Sequence, residues 1–311
     1  MEAGLNRLID KEMAAYVEES RNFNATMETV GNRPQPDLRT PEGLRQARAS
    51  LSSNSVQLDP PVVDRVVETG KRQVPVRIVA PKGDEVRGVH LDIHGGGFYL
   101  SSAARNDARN ARLANALRVP VVSVDYRLAP EHPWPAAPDD CETAALWLLE
   151  HAQSLFGTNR LTIGGSSAGA TLAMTTLLRL RDRGLVEPFV GAALQFGAYD
   201  LSGQSPGGRL YAGEFFIKAY AGHVADRTHP DISPLYGSLV GLPPALVVVG
   251  TLDLLLEDNL AMAARLSAAG NAVDVRVYPE SPHGFTSFPT GMAAAATSSI
   301  ESWLSDRLTE R

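Results

Sequence analysis

The segment Gly165-Ser166-Ser167-Ala168-Gly169 follows the β-rich run Leu161-Thr162-Ile163-Gly164 and precedes a helical pattern. A serine on a sharp strand-to-helix turn presents its hydroxyl for attack on an acyl carbon, and glycines two residues before and after let strand and helix approach closely. The register selects Ser167, because Ser166 would have Gly164 before it but Ala168 after it. The start of the following helix directs free amide groups and a positive dipole end toward developing negative charge. Upstream, Leu91-Asp92-Ile93 runs into His94-Gly95-Gly96-Gly97-Phe98, which sets three consecutive glycines at the end of another strand. Three glycines are costly in backbone entropy, and a tight turn alone rarely needs them. A set of main-chain N–H donors aimed at an oxyanion does need them, because a Cβ atom would obstruct the substrate.

Such a serine needs a base, and on this kind of elbow the acid and then the base follow the nucleophile in the chain. Of the histidines after Ser167, His223 and His229 lie among charged residues of one long segment, whereas His283 follows the last strand-like run in Pro279-Glu280-Ser281-Pro282-His283-Gly284-Phe285. A loop at a strand end lets the imidazole reach across to the serine, so His283 is the expected base. Two carboxylates contend for the acid that would fix the imidazole tautomer. Asp253 comes three residues after the run ending at Gly250, and Asp200 opens the long segment 201–235, where it can serve as a turn residue. Asp253 is preferred.

The elements that must carry these residues show in the hydrophobic pattern. Strands are expected at 63–68, 74–80, 88–93, 120–125, 161–164, 190–196, 245–250 and 273–278. Val121-Val122-Ser123-Val124 and Ala245-Leu246-Val247-Val248-Val249 are nearly continuous apolar runs, as in strands covered on both faces. Helical patterns over Glu142–His151, Ala170–Arg181, Glu257–Ala269 and Ala293–Leu308 alternate with them, and Gly270 stands where a helix C-cap is expected. The fold class is therefore α/β, with a mostly parallel central sheet flanked by helices. Leu5, Leu8, Ile9, Met13, Tyr16 and Val17 recur at helical spacing and predict an amphipathic helix that packs on the protein's own body. Residues 25–60, with several Pro, Asn and Ser, read as an irregular connection, and 201–235 departs from the strand-helix alternation as an insertion forming part of a cap.

Composition narrows the function class. At 311 residues, with 44% hydrophobic and 21% charged residues, the chain can bury one large core. A net charge of -6 leaves no basic surplus for phosphates, so nucleic acid is not expected as a partner. The single cysteine, Cys141, reads as a small buried residue, and no metal-ligand spacing or cofactor motif is present. Neither a signal peptide nor about 18 consecutive apolar residues is evident, so membrane insertion is not expected and a cytoplasmic location is.

Taken with Asp125-Tyr126-Arg127-Leu128-Ala129-Pro130-Glu131, Pro135-Ala136-Ala137 and Asp253-Leu254-Leu255-Leu256-Glu257-Asp258, the glycine and histidine motifs resemble the hormone-sensitive lipase family, the bacterial family IV esterases of the α/β-hydrolase fold. The resemblance covers roughly residues 60–305. It implies that Ser167, Asp253 and His283 form the catalytic triad and that the amides of Gly96, Gly97 and Ala168 form the oxyanion hole. It also implies a cap built from an N-terminal helical segment, 1–60, and the insertion at about 201–235, on a catalytic domain spanning 61–311. A capped pocket favours short or medium acyl esters, with Phe98, Phe215, Phe216 and Leu254 as candidate substrate-binding residues and no cofactor. A homodimer is compatible with the family. Ser166 stands where the family commonly has Asp, and Leu254 where it commonly has Pro, departures that bear on pocket shape and pH response. Arg127 is expected to brace the fold rather than bind substrate. The same apparatus could cleave amides, lactones or carbamates or transfer acyl groups, and a non-catalytic binding module on this scaffold is the reading from another class, which retention of Ser167, Asp253 and His283 argues against.

Overall fold

The computed structural model describes residues 11–31, 36–52, 58–83 and 85–309. Each of the expected strands forms. They are β1 (Val63–Thr69), β2 (Arg72–Val79), β3 (Val89–Ile93), β4 (Val121–Val124), β5 (Leu161–Ser166), β6 (Phe189–Gln195), β7 (Ala245–Gly250) and β8 (Val273–Tyr278). They make one eight-stranded sheet in the order β1-β2-β4-β3-β5-β6-β7-β8. The hairpin β1-β2 and the β2-β4 pair are antiparallel, and every pairing from β4 to β8 is parallel.

Helices cover both faces. On one side α4 (Ala136–Phe156), α5 (Ala168–Asp182) and α8 (Leu256–Ala268) bury Leu148, Leu172, Met174 and Leu266 against Leu91, Val122 and Val247. On the other, α3 (Asp107–Leu117) and α9 (Gly291–Thr309) place Leu117, Trp303 and Leu304 against Val121, Leu246 and Val248. Adjacent strand residues thus serve opposite layers, which is why β4 and β7 are apolar without interruption and buried throughout. Gly270, just past α8, takes φ 86° and ends the helix as expected.

The chain leaves β3, crosses to β4 on one side, and returns to β5 on the other side of β3. Such a reversal opens a crevice at the carboxyl ends of the two strands it separates. Here those ends carry His94-Gly95-Gly96-Gly97 and Ser167, and β3 is in register with β5 up to Ile93 opposite Gly165. The topology alone therefore brings both glycine motifs to one place.

The N-terminal segment is more ordered than its composition suggests. Leu5, Leu8 and Ile9 lie outside the described residues, but Met13, Tyr16 and Val17 pack on the α9 side of the core, as expected. A 3-10 turn, Lys11–Tyr16, leads into α1 (Val17–Gly31). Within 25–60, expected to be irregular, α1 continues to Gly31 and α2 spans Pro41–Ser52. The start of α2 is encoded by Thr40, whose Oγ1 accepts from the Gly43 amide at 3.0 Å, with proline at the first helical position. Helix α3 was also not expected, because only Asn110, Ala114 and Leu117 of its residues are buried and the apolar stripe is thin. The insertion contains two short helices, α6 (Pro206–Arg209) and α7 (Phe215–Ala221), joined by irregular chain. Among the described residues no helix is long and apolar enough to cross a membrane.

Candidate active site

Ser167 caps α5 with φ 54° and ψ -122°, a conformation strained for a residue with a side chain. Its amide donates to the Gln195 carbonyl at 2.9 Å, and its own carbonyl accepts from the Ala170 and Thr171 amides to start the helix. The glycine spacing has a steric cause. A Cβ at Gly165 would lie 2.4 Å from the Gly169 carbonyl carbon, and one at Gly169 would lie 2.0 Å from the Ile93 oxygen.

His283 Nε2 lies 3.0 Å from Ser167 Oγ, while Nδ1 lies 2.9 and 3.1 Å from the two oxygens of Asp253. These partners assign the tautomer: Nδ1–H donates to the carboxylate and Nε2 accepts from the serine hydroxyl. Asp253 also accepts from the Leu255 amide at 2.8 Å, which locks the turn between β7 and α8. The Asp253 side chain is wholly buried, whereas 35% of the His283 side chain is exposed. The carboxylate is thus shielded from water while the imidazole edge remains accessible. Phe196 presses on the ring edge-on, with centroids 5.1 Å apart, a support that the sequence pattern did not single out.

In the glycine loop, Gly96, Gly97 and Phe98 take φ values of 123°, 64° and 61°. The Gly96 carbonyl accepts from the amides of Tyr99 and Leu100 at 3.1 and 2.8 Å. Among the described residues the amides of Gly96, Gly97 and Ala168 have no protein acceptor, so they are available to a ligand. Tyr126 supports the loop from beneath, its hydroxyl donating to the His94 carbonyl at 2.9 Å and its ring stacked on His94 at 4.1 Å. Burial lowers the His94 pKa and keeps that imidazole neutral.

The four expected substrate contacts separate. Phe98 is 1% exposed and its ring stacks on Tyr220 at 4.0 Å, so it supports the loop from within the core. Phe216 lies over Gly97, where an added Cβ would come within 3.0 Å of its ring. Phe215 packs edge-on against both Phe216 and Tyr99. Leu254, beside Asp253, is 49% exposed.

The remaining candidates have structural surroundings. Asp200 accepts from the amides of Ser202, Gly203 and Ser205 and from the Tyr236 hydroxyl. Burial pushes its carboxyl up, but these bonds outweigh it and hold the pKa below the usual range. It organises the start of the insertion, and His283 turns to Asp253 instead. Asp258, on α8, is pushed up to about 6 by burial against hydrogen bonds from Tyr211 and the amides of Tyr199 and Asp200. It ties the insertion to the body. Arg127 pairs with Asp140 at 2.8 Å as a brace, Cys141 is buried with its thiol pKa raised by desolvation, and His223 and His229 flank Trp134.

A family model described as the alpha/beta hydrolase fold matches residues 90–287. The carboxylic ester hydrolase LipN of Mycobacterium tuberculosis is 33% identical over 77% of this chain and 68% of that protein. The ethyl acetate hydrolase of Pseudomonas putida is 31% identical over 89% of this chain and 92% of that one. A solved hormone-sensitive lipase from a metagenome library superposes with a TM-score of 0.77 at 28% identity, covering 93% of this chain and 98% of its own. The sheet order, the glycine motifs at its switch point and these likenesses lead to one conclusion: the chain belongs to the hormone-sensitive lipase family of α/β-hydrolase esterases and is a serine carboxylesterase.

Proposed function

We propose that this carboxylesterase cleaves short to medium acyl esters through a covalent acyl-enzyme on Ser167, with His283 as base and acid and Asp253 as its orienting carboxylate. The observation that carries the reading is the continuous hydrogen-bonded path from Ser167 Oγ through both nitrogens of His283 to Asp253. In acylation Ser167 attacks the ester carbonyl as Nε2 takes its proton, and the imidazolium is stabilised by the buried carboxylate. The amides of Gly96, Gly97 and Ala168 hold the oxygen that becomes negative, each such donor contributing roughly 3 kcal/mol to the transition state. His283 then protonates the departing alcohol. Water enters on the same side, loses a proton to Nε2 and releases the acid.

Residues 1–60 and about 201–235 serve as the cap in this reading. Its support is the position of Phe216 against Gly97, with Phe215 edge-on to it, which sets two aromatic rings beside the glycine loop. The ethyl acetate hydrolase among the relatives fits the same short-chain preference. The substrate is a small-molecule ester and the location cytoplasmic in this reading, and the net charge of -6 favours dispersal in solution. Initial rates on p-nitrophenyl acetate, butyrate, octanoate and palmitate test the proposal. Activity should peak at acetate or butyrate, and Ser167→Ala should lower it about 10⁵-fold or more. A variant as active as the wild type would overturn the nucleophile assignment, and a maximum at palmitate would overturn the short-chain reading.

A further inference from the structure

The stretch 96–101 is an unusual backbone to leave unsupported. Gly96, Gly97, Phe98 and Ser101 all take positive φ, two of them with side chains that disfavour it. The turn's geometry also sets the chemistry. The Gly96 carbonyl points inward to the Tyr99 and Leu100 amides, and a trans peptide places the Gly97 N–H on the opposite side. Whatever holds residues 99 and 100 in place therefore aims the Gly97 donor.

The outer side of that turn is gripped by a side chain from a distant part of the sequence. Arg48, on α2, donates to the Tyr99 carbonyl through Nη2 at 2.9 Å and through Nε at 3.1 Å. Its Nη2 also donates to the Ala129 carbonyl at 2.7 Å, and the Ala129 amide in turn donates to the Phe98 carbonyl at 2.9 Å. Glu131 holds the guanidinium with contacts of 2.8 and 3.1 Å, and the cation lies 5.7 Å from the centre of the Tyr99 ring. The Tyr99 hydroxyl donates to the Leu38 carbonyl at 2.9 Å, so the approach to α2 grips the same residue. The Arg48 side chain is only 25% exposed.

We propose that Arg48 is a positioning residue for the oxyanion hole. It acts through the 98–100 backbone and does not touch the substrate. A cation on the Tyr99 carbonyl polarises the 99–100 peptide and strengthens the bond from the Leu100 amide to the Gly96 carbonyl, the bond that orients the Gly97 donor. The fork of the guanidinium matters as well as its charge, since it spans two carbonyls and a carboxylate at once. The N-terminal segment is thereby part of the catalytic apparatus as well as a cover. This inference rests on the ester-hydrolysis reading above.

The test compares wild type, Arg48→Met and Arg48→Lys on p-nitrophenyl butyrate, with thermal midpoints measured alongside and Ser167→Ala as the reference for the reading beneath it. Displacing a donor without deleting it should lower kcat about 10- to 100-fold in Arg48→Met, with KM within about twofold. Arg48→Lys, which keeps the charge and the stem, should recover part of that loss. Phenylboronic acid, whose tetrahedral adduct occupies the oxyanion position, should bind less tightly to each variant by the factor its kcat has lost. A change in KM or thermal midpoint alone, with kcat and boronate affinity at wild-type values, would assign Arg48 to fold support and overturn the proposal. If Arg48→Met does not fold, Arg48→Lys decides on the same two readouts. Wild-type activity in Ser167→Ala would instead remove the catalytic reading itself, an outcome distinct from any behaviour of the Arg48 variants.

Discussion

The shelf formed by the carboxyl ends of β3, β5, β7 and β8 and the segments 36–52 and 198–236, proposed above as parts of its cover, are held by different means. On the shelf, backbone geometry governs. Ser167, Gly96 and Gly97 sit at positive φ, and glycines stand where a Cβ would strike another backbone atom. In the cover, side-chain charge governs. Asp200 gathers three amides, Asp258 receives Tyr211, Arg48 grips two carbonyls, and Arg179 binds Asp231 and Asp139. Changes on the shelf should act on kcat, because they displace reacting atoms. Changes in the cover should act first on KM, selectivity or stability, with Arg48 the exception, because its bonds reach the Tyr99 and Ala129 carbonyls behind the glycine loop and so act on kcat.

The two carboxylates that contended for one role give the largest contrast. Asp253→Asn removes the negative charge and offers His283 Nδ1 an NH2 donor that favours the wrong tautomer, and it should lower kcat about 10⁴-fold on p-nitrophenyl butyrate. Asp200→Asn keeps the size of the side chain but weakens its bonds to Ser202, Ser205 and Tyr236. It should change kcat less than about tenfold while lowering the thermal midpoint by several degrees, as expected for a loss of roughly 1–2 kcal/mol. Equal losses of kcat in the two variants would erase the distinction between shelf and cover.

Gly97→Ala is the next largest effect, since it strikes where the two regions touch. Alanine at φ 64° is strained, and its Cβ meets the Phe216 ring at 3.0 Å. A kcat loss of about 10²-fold is expected from displacement of one donor. Adding Phe216→Leu should relieve the steric part and leave the backbone part, so the double variant should be more active than Gly97→Ala alone. Phe216→Ala by itself acts on the cover side. It should raise kcat/KM on p-nitrophenyl octanoate by about tenfold, the worth of one or two methylenes in an apolar pocket, with little change on acetate.

The same division explains what the sequence made legible. Continuous apolar strands and glycines at fixed offsets are local signals, so the sheet and the positions of Ser167, Asp253 and His283 could be read before any fold was known. The cover depends on contacts between distant residues. Arg48 and Tyr99 are 51 positions apart, and no period marks them as partners. Thr40-Pro41-Glu42 is a helix start, but it sits among Pro, Asn and Ser residues that read as irregular chain. Phe98 follows the glycine motif and is expected from the sequence at the substrate, yet it is buried with its ring stacked on Tyr220, a partner 122 positions away that no local pattern marks.

The smallest expected effect leaves catalysis near neutral pH intact and concerns two buried titrating groups, one on β3 under the shelf and one on α8 where the 198–236 segment is tied to the body. His90, on β3, is fully buried and its pKa is lowered to about 4 by desolvation, with Asp92 opposing and Arg109 assisting. It folds neutral, so the stability it permits is complete above pH 6.5 and is lost as pH falls toward 4. Asp258 has the opposite sign. Its folded pKa, about 6, exceeds its unfolded value, so the folded state binds the extra proton and stability falls as pH rises from about 4 to 6. Each shift corresponds to about 3 kcal/mol, so the two slopes nearly cancel in the wild type over the range they share. Urea denaturation at pH 4.5 and 6.5 separates them. His90→Asn can keep a bond to Thr162, which His90 Nδ1 now reaches at 2.9 Å, and it should become relatively more stable at pH 4.5 than at 6.5. Asp258→Asn should shift the other way, losing more stability relative to wild type at pH 4.5 than at 6.5. Parallel pH profiles for wild type and both variants would show that neither group titrates with folding and that the electrostatic contrast between the two regions does not extend to their buried cores.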